Sequence, residues 1–184
     1  QDKQELLTGN EVFVNKGLEL IVSILPSGLG DVKSSIEDSL RLLLLQYSDG
    51  VGGILLGFDN LEILRKDSGL ILNELPHIHY KVLIDALVFA PFVGCRLQGL
   101  VTESFHSHIS LLVFKFFTAS VSSEQMEASG FQFDDVELMW YKNEIRVKNK
   151  DIPLEFECQH IYESGGLISM EGTKPALPMQ VKSF

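Results

Sequence analysis

From Ile78 to Phe89 the chain alternates strictly and then meets a proline. Ile78, Tyr80, Val82, Ile84, Ala86 and Val88 fall on one parity, His79, Lys81, Leu83, Asp85, Leu87 and Phe89 on the other. Successive side chains of a strand point to opposite faces, so this period predicts one long strand. The polar members of the second set are His79, Lys81 and Asp85, which makes the strand one-faced at first and two-faced later. Ala90-Pro91-Phe92-Val93-Gly94 ends it. Pro91 has no N–H to give a ladder, and Gly94 allows the turn. A strand that cannot continue past Pro91 divides the chain into residues 1–91 and 92–184.

Upstream of that break the pattern mixes periods. Residues 12–25 are β-branched and apolar and predict one strand or two, interrupted at Gly17. Pro26-Ser27-Gly28-Leu29-Gly30 is a turn, and Asp31 fits a helix N-cap. Val32, Ile36, Leu40, Leu43, Leu44 and Tyr47 then recur at spacings of three and four, an amphipathic helix that runs to Ser48-Asp49-Gly50. Val51–Phe58 predicts a strand, Asp59-Asn60 a turn and Leu61–Leu64 a second strand, a hairpin. Lys66–Gly69 is another turn, and Leu70–Leu75 a strand ending at Pro76. Strand, helix, then several strands make a small α+β unit.

Downstream no long helical period appears. Arg96–Glu103, Ile109–Phe117, Ala119–Val121, Trp140-Tyr141, Ile145–Lys148, Leu154–Tyr162 and Leu167–Met170 are strand candidates. Gly99 fits a bulge where such strands close. Residues 122–139 are polar with an ambiguous period, a candidate helical insertion. Short strands separated by turns predict a small β-barrel or sandwich over 92–173, followed by an irregular tail, 174–184.

Charge narrows the functional classes. The 15 Lys and Arg face 25 Asp and Glu, a net charge of −10. Residues 1–91 carry 7 basic and 13 acidic residues, and 92–184 carry 8 and 12, so both halves are acidic. Affinity for nucleic acid and for anionic membranes comes largely from basic side chains, which argues against both as general partners. The apolar runs fall far short of the roughly 20 residues of a membrane span. Cys95 and Cys158 read as two reduced thiols packed as small hydrophobes, with a disulfide left open.

Chemistry-bearing motifs are sparse. His77/His79 and His106/His108 are H-x-H pairs, and His160, Cys95 and Cys158 could be added to imagine a metal site. No HExxH or CxxC supports one, and each pair flanks a turn, so these read as loop or surface histidines. There is no GxSxG elbow, no phosphate-binding GxxxxGK[ST] and no GxGxxG opening a helix. The residues call for no catalytic site, metal or cofactor. One basic cluster, Lys142, Arg146, Lys148 and Lys150, lies beside Trp140 and Tyr141. With Phe105, His106, His108, Phe114, Phe116 and Phe117 it offers the stacking and charge that barrels use on single strands. The plainer reading is core aromatics and solubilising lysines.

The junction resembles a known family. Val88-Phe89-Ala90-Pro91-Phe92-Val93-Gly94, followed by Leu97, Gly99 and Val101, is similar to the entry into the C-terminal barrel of the RpoE/Rpb7-like stalk subunits of RNA polymerases. Leu44-Leu45-Gln46-Tyr47-Ser48, Gly53–Leu56, Asp59-Asn60, Pro76–His79, Ser107-His108-Ile109 and Ala119-Ser120-Val121 resemble the RNA polymerase I member most. The resemblance runs over roughly residues 12–173.

That resemblance implies a truncated RNP-like unit over 1–91, followed by an OB/S1-like barrel. It implies a non-catalytic subunit that pairs with a smaller partner, docks on the polymerase core and helps receive an initiation factor for ribosomal RNA genes, in the nucleus and nucleolus. Asp59, Asn60 and Leu61 are the candidate docking residues, because exposed turns carry specificity. Phe105, His106, His108, Lys142, Arg146 and Lys148 are the candidates for a weak RNA contact. Phe105 and His108 stand at the first two aromatic places of an S1 domain, whose later glycine and histidine are missing. The alternatives are an independent OB/S1 protein that binds single-stranded RNA, or the stalk subunit of another nuclear polymerase.

Overall fold

A computed structural model describes residues 12–64, 70–71, 77–147 and 152–178. The Lys66–Gly69 turn, the end of the 70–75 strand, Lys148 and Lys150 lie outside these residues. Two units emerge: Phe13–Ala90, and Pro91 onward together with Val12.

The first unit is a sheet with one helix packed on it. Strand β1 (Phe13–Ile24) leads through a 3-10 turn (Pro26–Asp31) to helix α1 (Val32–Arg41). Then come β2 (Tyr47–Ser48), β3 (Gly53–Ile63), β4 (Leu70–Ile71) and β5 (Ile78–Phe89). The order is β1-β5-β3-β2, with β4 also on β5. β1 runs antiparallel to β5 along its whole length, from Phe13 opposite Phe89 to Ile24 opposite Ile78. Gly17 does not interrupt it, because Gly17 stays in register opposite Asp85.

One face of β5 is the floor of the core. Tyr80, Val82, Ile84, Ala86 and Val88 are buried, whereas Lys81, Leu83, Asp85 and Leu87 are exposed. The expected second buried face appears only at Phe89. Asp31 caps α1 by accepting a hydrogen bond from Ser34 N at 3.1 Å. Ile36 and Leu40 from the helix are fully buried on the sheet with Val22, Leu55 and Val82. Each such side chain contributes about 1.5–3 kcal/mol of burial.

The helix ends at Arg41, not at Ser48. Leu43 N and Leu44 N donate to Leu40 O and Arg41 O, a tightened last turn, and Leu45 adopts a left-handed φ of 61°. Leu45 N then donates to Leu55 O, and Tyr47 pairs with Ile54. Pairing with β3 wins over helix propagation, and leaves Leu42 and Leu45 exposed.

The second unit is a closed five-stranded barrel, β12-β13-β8-β7-β6, the strand number of an OB-type barrel. Its strands are β6 (Arg96–Ser104), β7 (His108–Val113), β8 (Phe117–Ser122), β12 (Pro153–Ser164) and β13 (Leu167–Ala176). Between β8 and β12 lie helix α2 (Ser123–Ala128), then β9 (Gln132–Asp134), β10 (Met139–Lys142) and β11 (Ile145–Arg146), which form a separate small sheet. Helix therefore occupies only the first third of the 122–139 stretch.

Three further expectations change. The apolar run Ile109–Phe117 is a strand and a turn, because Phe114 and Lys115 both have positive φ, 49° and 65°. Gly99 is not a bulge. The β6–β7 register shifts between Val101 and Glu103, and Gly99 is the place where Leu111 crosses closely. Residues 174–176 are not part of an irregular tail but the end of β13, with Ala176 opposite Glu155. Overall the chain is mostly β with short helices, within the α+β class.

Candidate functional site

Asp59 and Asn60 do not turn a hairpin. β3 passes through them, opposite β5, with Gly57 facing Leu87 and Asp59 facing Asp85. The next partners are Glu62 and Leu83, so β3 spends one residue more than β5 between them. That extra residue is a β-bulge. Asn60 takes it up with a φ of 51°, a left-handed conformation that Asn tolerates better than most residues. The bulge turns Asp59 and Asn60 outward, while Leu61 is half-buried against the core of the unit.

The hydrogen bonds fix this geometry. Asn60 N donates to Asp59 Oδ1 at 2.8 Å, and Asn60 Nδ2 donates to Asp85 Oδ2 at 2.7 Å. Two carboxylates directly opposed across strands repel, and the Asn60 amide offsets that for Asp85. Beside them lies an open hollow of about 580 Å³ lined by Gly17, Gly57, Asp59, Asn60, Asp85 and Leu87. It exists because β1 and β3 place glycines next to Asp85 and Leu87, and a Cβ at either glycine would meet nothing within 4 Å. The result is an acidic recess with a backbone floor on the outer face of the sheet.

The barrel carries the second candidate site. Phe105 stacks on His108 at 4.9 Å, and His106 meets the edge of Phe133 at 5.2 Å. Phe133 in turn packs on Trp140 at 5.2 Å. Trp140 is fully buried and donates from Nε1 to Phe105 O at 3.0 Å. Trp140 therefore belongs to the core and holds the Phe105 backbone, rather than lying free as a stacking platform. His106 Nδ1 lies 3.7 Å from the Asp135 carboxylate. Phe133 and Asp135 complete this cluster, and neither stands out in the sequence. The Phe131-Gln132-Phe133 alternation is the signal for them, hidden in a stretch whose period looks mixed.

Among the described residues, the basic candidates Lys142 and Arg146 do not converge. Tyr141 pairs with Arg146, and Lys142 with Ile145, so Lys142 and Arg146 lie on opposite faces of the small sheet. Lys142 Nζ donates to Ser129 O at 2.6 Å and sits 5.1 Å over the Phe131 ring. Arg146 pairs with Glu137 at 2.9 Å. Asp134 orders the same loop: its carboxylate accepts from Glu137 N and Val136 N, which holds it below the usual range. The other histidines are spread out. His79 bonds Ser23 Oγ at 2.7 Å, and His160 Nδ1 lies 3.6 Å from Glu171. Among the described residues no three such groups converge on a metal-sized site.

No protein-family profile matches the chain. It is 27% identical over 160 residues to DNA-directed RNA polymerase I subunit rpa43 of Schizosaccharomyces pombe, 85% of this chain and 92% of that one. It is 30% identical over 163 residues to the subunit RPA43 of Homo sapiens, 88% of this chain and 44% of that one. The RPA43 subunit of Mus musculus is 28% identical over 88% of this chain and 46% of its own. The chain thus spans less than half of the two mammalian subunits. Matches of this extent draw on both structural units.

Proposed function

We propose that this chain, a homologue of the RPA43 subunits of RNA polymerase I, is a non-catalytic stalk subunit of that polymerase. The observation that carries the reading is the reach of the similarity, which covers most of the chain and so includes both the sheet unit and the barrel. In this reading the N-terminal unit is a truncated RNP-like domain that docks on the polymerase core. The acidic recess at Asp59, Asn60 and Asp85 faces basic groups there, with Leu61 setting the bulge from beneath. The barrel is OB/S1-like and, with a smaller stalk partner, contributes to receiving the initiation factor. The site of action is the nucleus, and within it the nucleolus. RNA is only a secondary ligand of the Phe105, His106 and His108 face, because Lys142 and Arg146 are engaged elsewhere.

Affinity purification of the tagged chain from nuclear extract, with nuclease treatment, tests the reading. The expected result is stoichiometric recovery of the large RNA polymerase I subunits. Recovery of no polymerase subunit, with tight and salt-dependent binding of single-stranded RNA by the purified chain, would establish the RNA-binding alternative instead.

A further inference from the structure

Cys95 and Cys158 oppose one another inside the barrel where β6 begins. β6 and β12 pair with Leu97 opposite Phe156 and Arg96 opposite Glu157. One step further the same register brings Cys95 opposite Cys158. Cys158 N donates to Cys95 O at 2.8 Å, and Gly94 N donates to Cys158 O at 2.7 Å. Gly94, with a φ of 93°, is the extra residue of a bulge that needs a left-handed glycine. Leu97 and Phe156 point inward, and alternation turns the cysteine pair inward too. Cys95 is 5% exposed and Cys158 1%.

The pair stands at one cross-strand position inside the barrel. Both thiols are free, and the Cys158 thiol donates to His160 O at 3.6 Å. In a regular antiparallel ladder, opposed residues have Cα atoms about 4.5–5.5 Å apart; here the Gly94 bulge adjoins the pair, and Gly94 N rather than Cys95 N donates to Cys158 O. A disulfide spans roughly 4.4–6.8 Å between Cα atoms. The neighbouring Cys158 side chain brings the Cys95 thiol down to about 7, while Cys95 and burial push the Cys158 thiol up. Cys95 is therefore the more acidic thiol of the pair and its nucleophile.

We propose that Cys95 and Cys158 form a redox-modification site, in which hydrogen peroxide couples them into a disulfide that staples β6 to β12. The Cys95 thiolate attacks one peroxide oxygen and the O–O bond breaks. The departing hydroxide takes a proton and leaves as water, and Cys95 holds the other oxygen as a sulfenic acid. The Cys158 sulfur then displaces that hydroxyl, forming the S–S bond. The Cys158 proton leaves with the hydroxyl as a second water. Two thiols lose two electrons and one peroxide gains them. Near-complete burial restricts the reaction to a small oxidant, which excludes bulky disulfides as the direct reagent.

The test exposes the purified chain to hydrogen peroxide, alkylates it after unfolding, and maps it without reductant. The expected product is lighter by two hydrogen atoms, resists alkylation at both cysteines, and yields one peptide pair linking positions 95 and 158. Dithiothreitol reverses it. Closing a loop this long raises the thermal midpoint by several degrees. With Cys158→Ser, Cys95 is expected to remain as a sulfenic acid that dimedone traps. The proposal fails if methionines oxidise while both cysteines stay alkylatable. It also fails if the only products are intermolecular disulfides or sulfinic acids at single sites. Either failure would show on the unmutated chain, so the test holds even if the variant does not fold.

Discussion

Asn60 hands its side-chain amide to Asp85 across 2.7 Å and so ties the bulged residue of β3 to the central strand β5. Backbone and side chain make separate demands there. The φ of 51° asks for a residue at ease in the left-handed region, and Asp85 asks for a donor. Asn60→Gly keeps the first and loses the second, an exposed bond, so stability changes by about 0.5 kcal/mol or less. Asn60→Val violates both and costs roughly 1–3 kcal/mol. Asn60→Asp adds a carboxylate beside Asp59 and Asp85, and its loss shrinks as salt rises. Urea unfolding followed by circular dichroism gives the order. Valine tolerated better than glycine would refute this account.

The same recess predicts how docking responds to charge. Asp59 and Asp85 stand on the outer face of the sheet beside the glycine-floored hollow. Asp59→Lys reverses the charge at the rim without touching the buried core. Recovery of the polymerase core with the tagged chain should fall at least tenfold, while circular dichroism of the chain stays unchanged. The loss should be smaller at high ionic strength, where the favourable pairing is already screened. Undiminished recovery would move the docking surface away from this bulge.

Lys142 is predicted to act in stability rather than in RNA contact. Its ammonium donates to Ser129 O, just after α2, and lies over the buried Phe131 ring. Lys142→Ala removes a charge-assisted bond and a cation–π contact, about 1–3 kcal/mol together. Lys142→Met keeps much of the stem packing and should lose less. RNA retention, measured by filter binding at fixed salt, should be the same for the unmutated chain and Lys142→Met. A selective loss of RNA binding at unchanged stability would restore Lys142 to an RNA surface.

What could be read from the sequence followed the reach of the forces involved. The Ile78–Phe89 strand and its end ahead of Pro91 are local, written in side-chain parity and in one missing N–H, and the strand stops there. The start of α1 is equally local, set by the Asp31 cap. Its end is not. Leu43, Leu44 and Tyr47 continue the helical spacing, yet the bond from Leu45 N to Leu55 O and the Tyr47–Ile54 pairing end the helix from outside it. Asp59-Asn60 has the composition of a hairpin turn, and only the partner strand decides that the chain runs straight on with a bulge. The described half of the basic cluster separates for a similar reason. Residues 142 and 146 are close in sequence, but pairing of β10 with β11 sends them to opposite faces.

Gly172 supplies the sharpest test of barrel packing. It lies in β13 opposite Cys158, and a Cβ there would fall 2.5 Å from Phe156 Cδ2 and 3.0 Å from Val121 Cγ2. Phe156 is fully buried and cannot swing into solvent. Gly172→Ala therefore overpacks the interior and costs about 1–3 kcal/mol. Phe156→Leu alone removes buried ring and costs a similar amount, roughly 1–3 kcal/mol. The two changes act on one contact, so the double variant should lose less than the sum of the singles, by about 0.5–2 kcal/mol. Val121 limits the rescue, because it presses on the same methyl and is unchanged by the second substitution. Trp140, the single tryptophan, is buried in this unit and reports its unfolding by fluorescence in a urea titration. Strict additivity of the two losses would mean that Gly172 is held by the strand backbone rather than by the Phe156 ring.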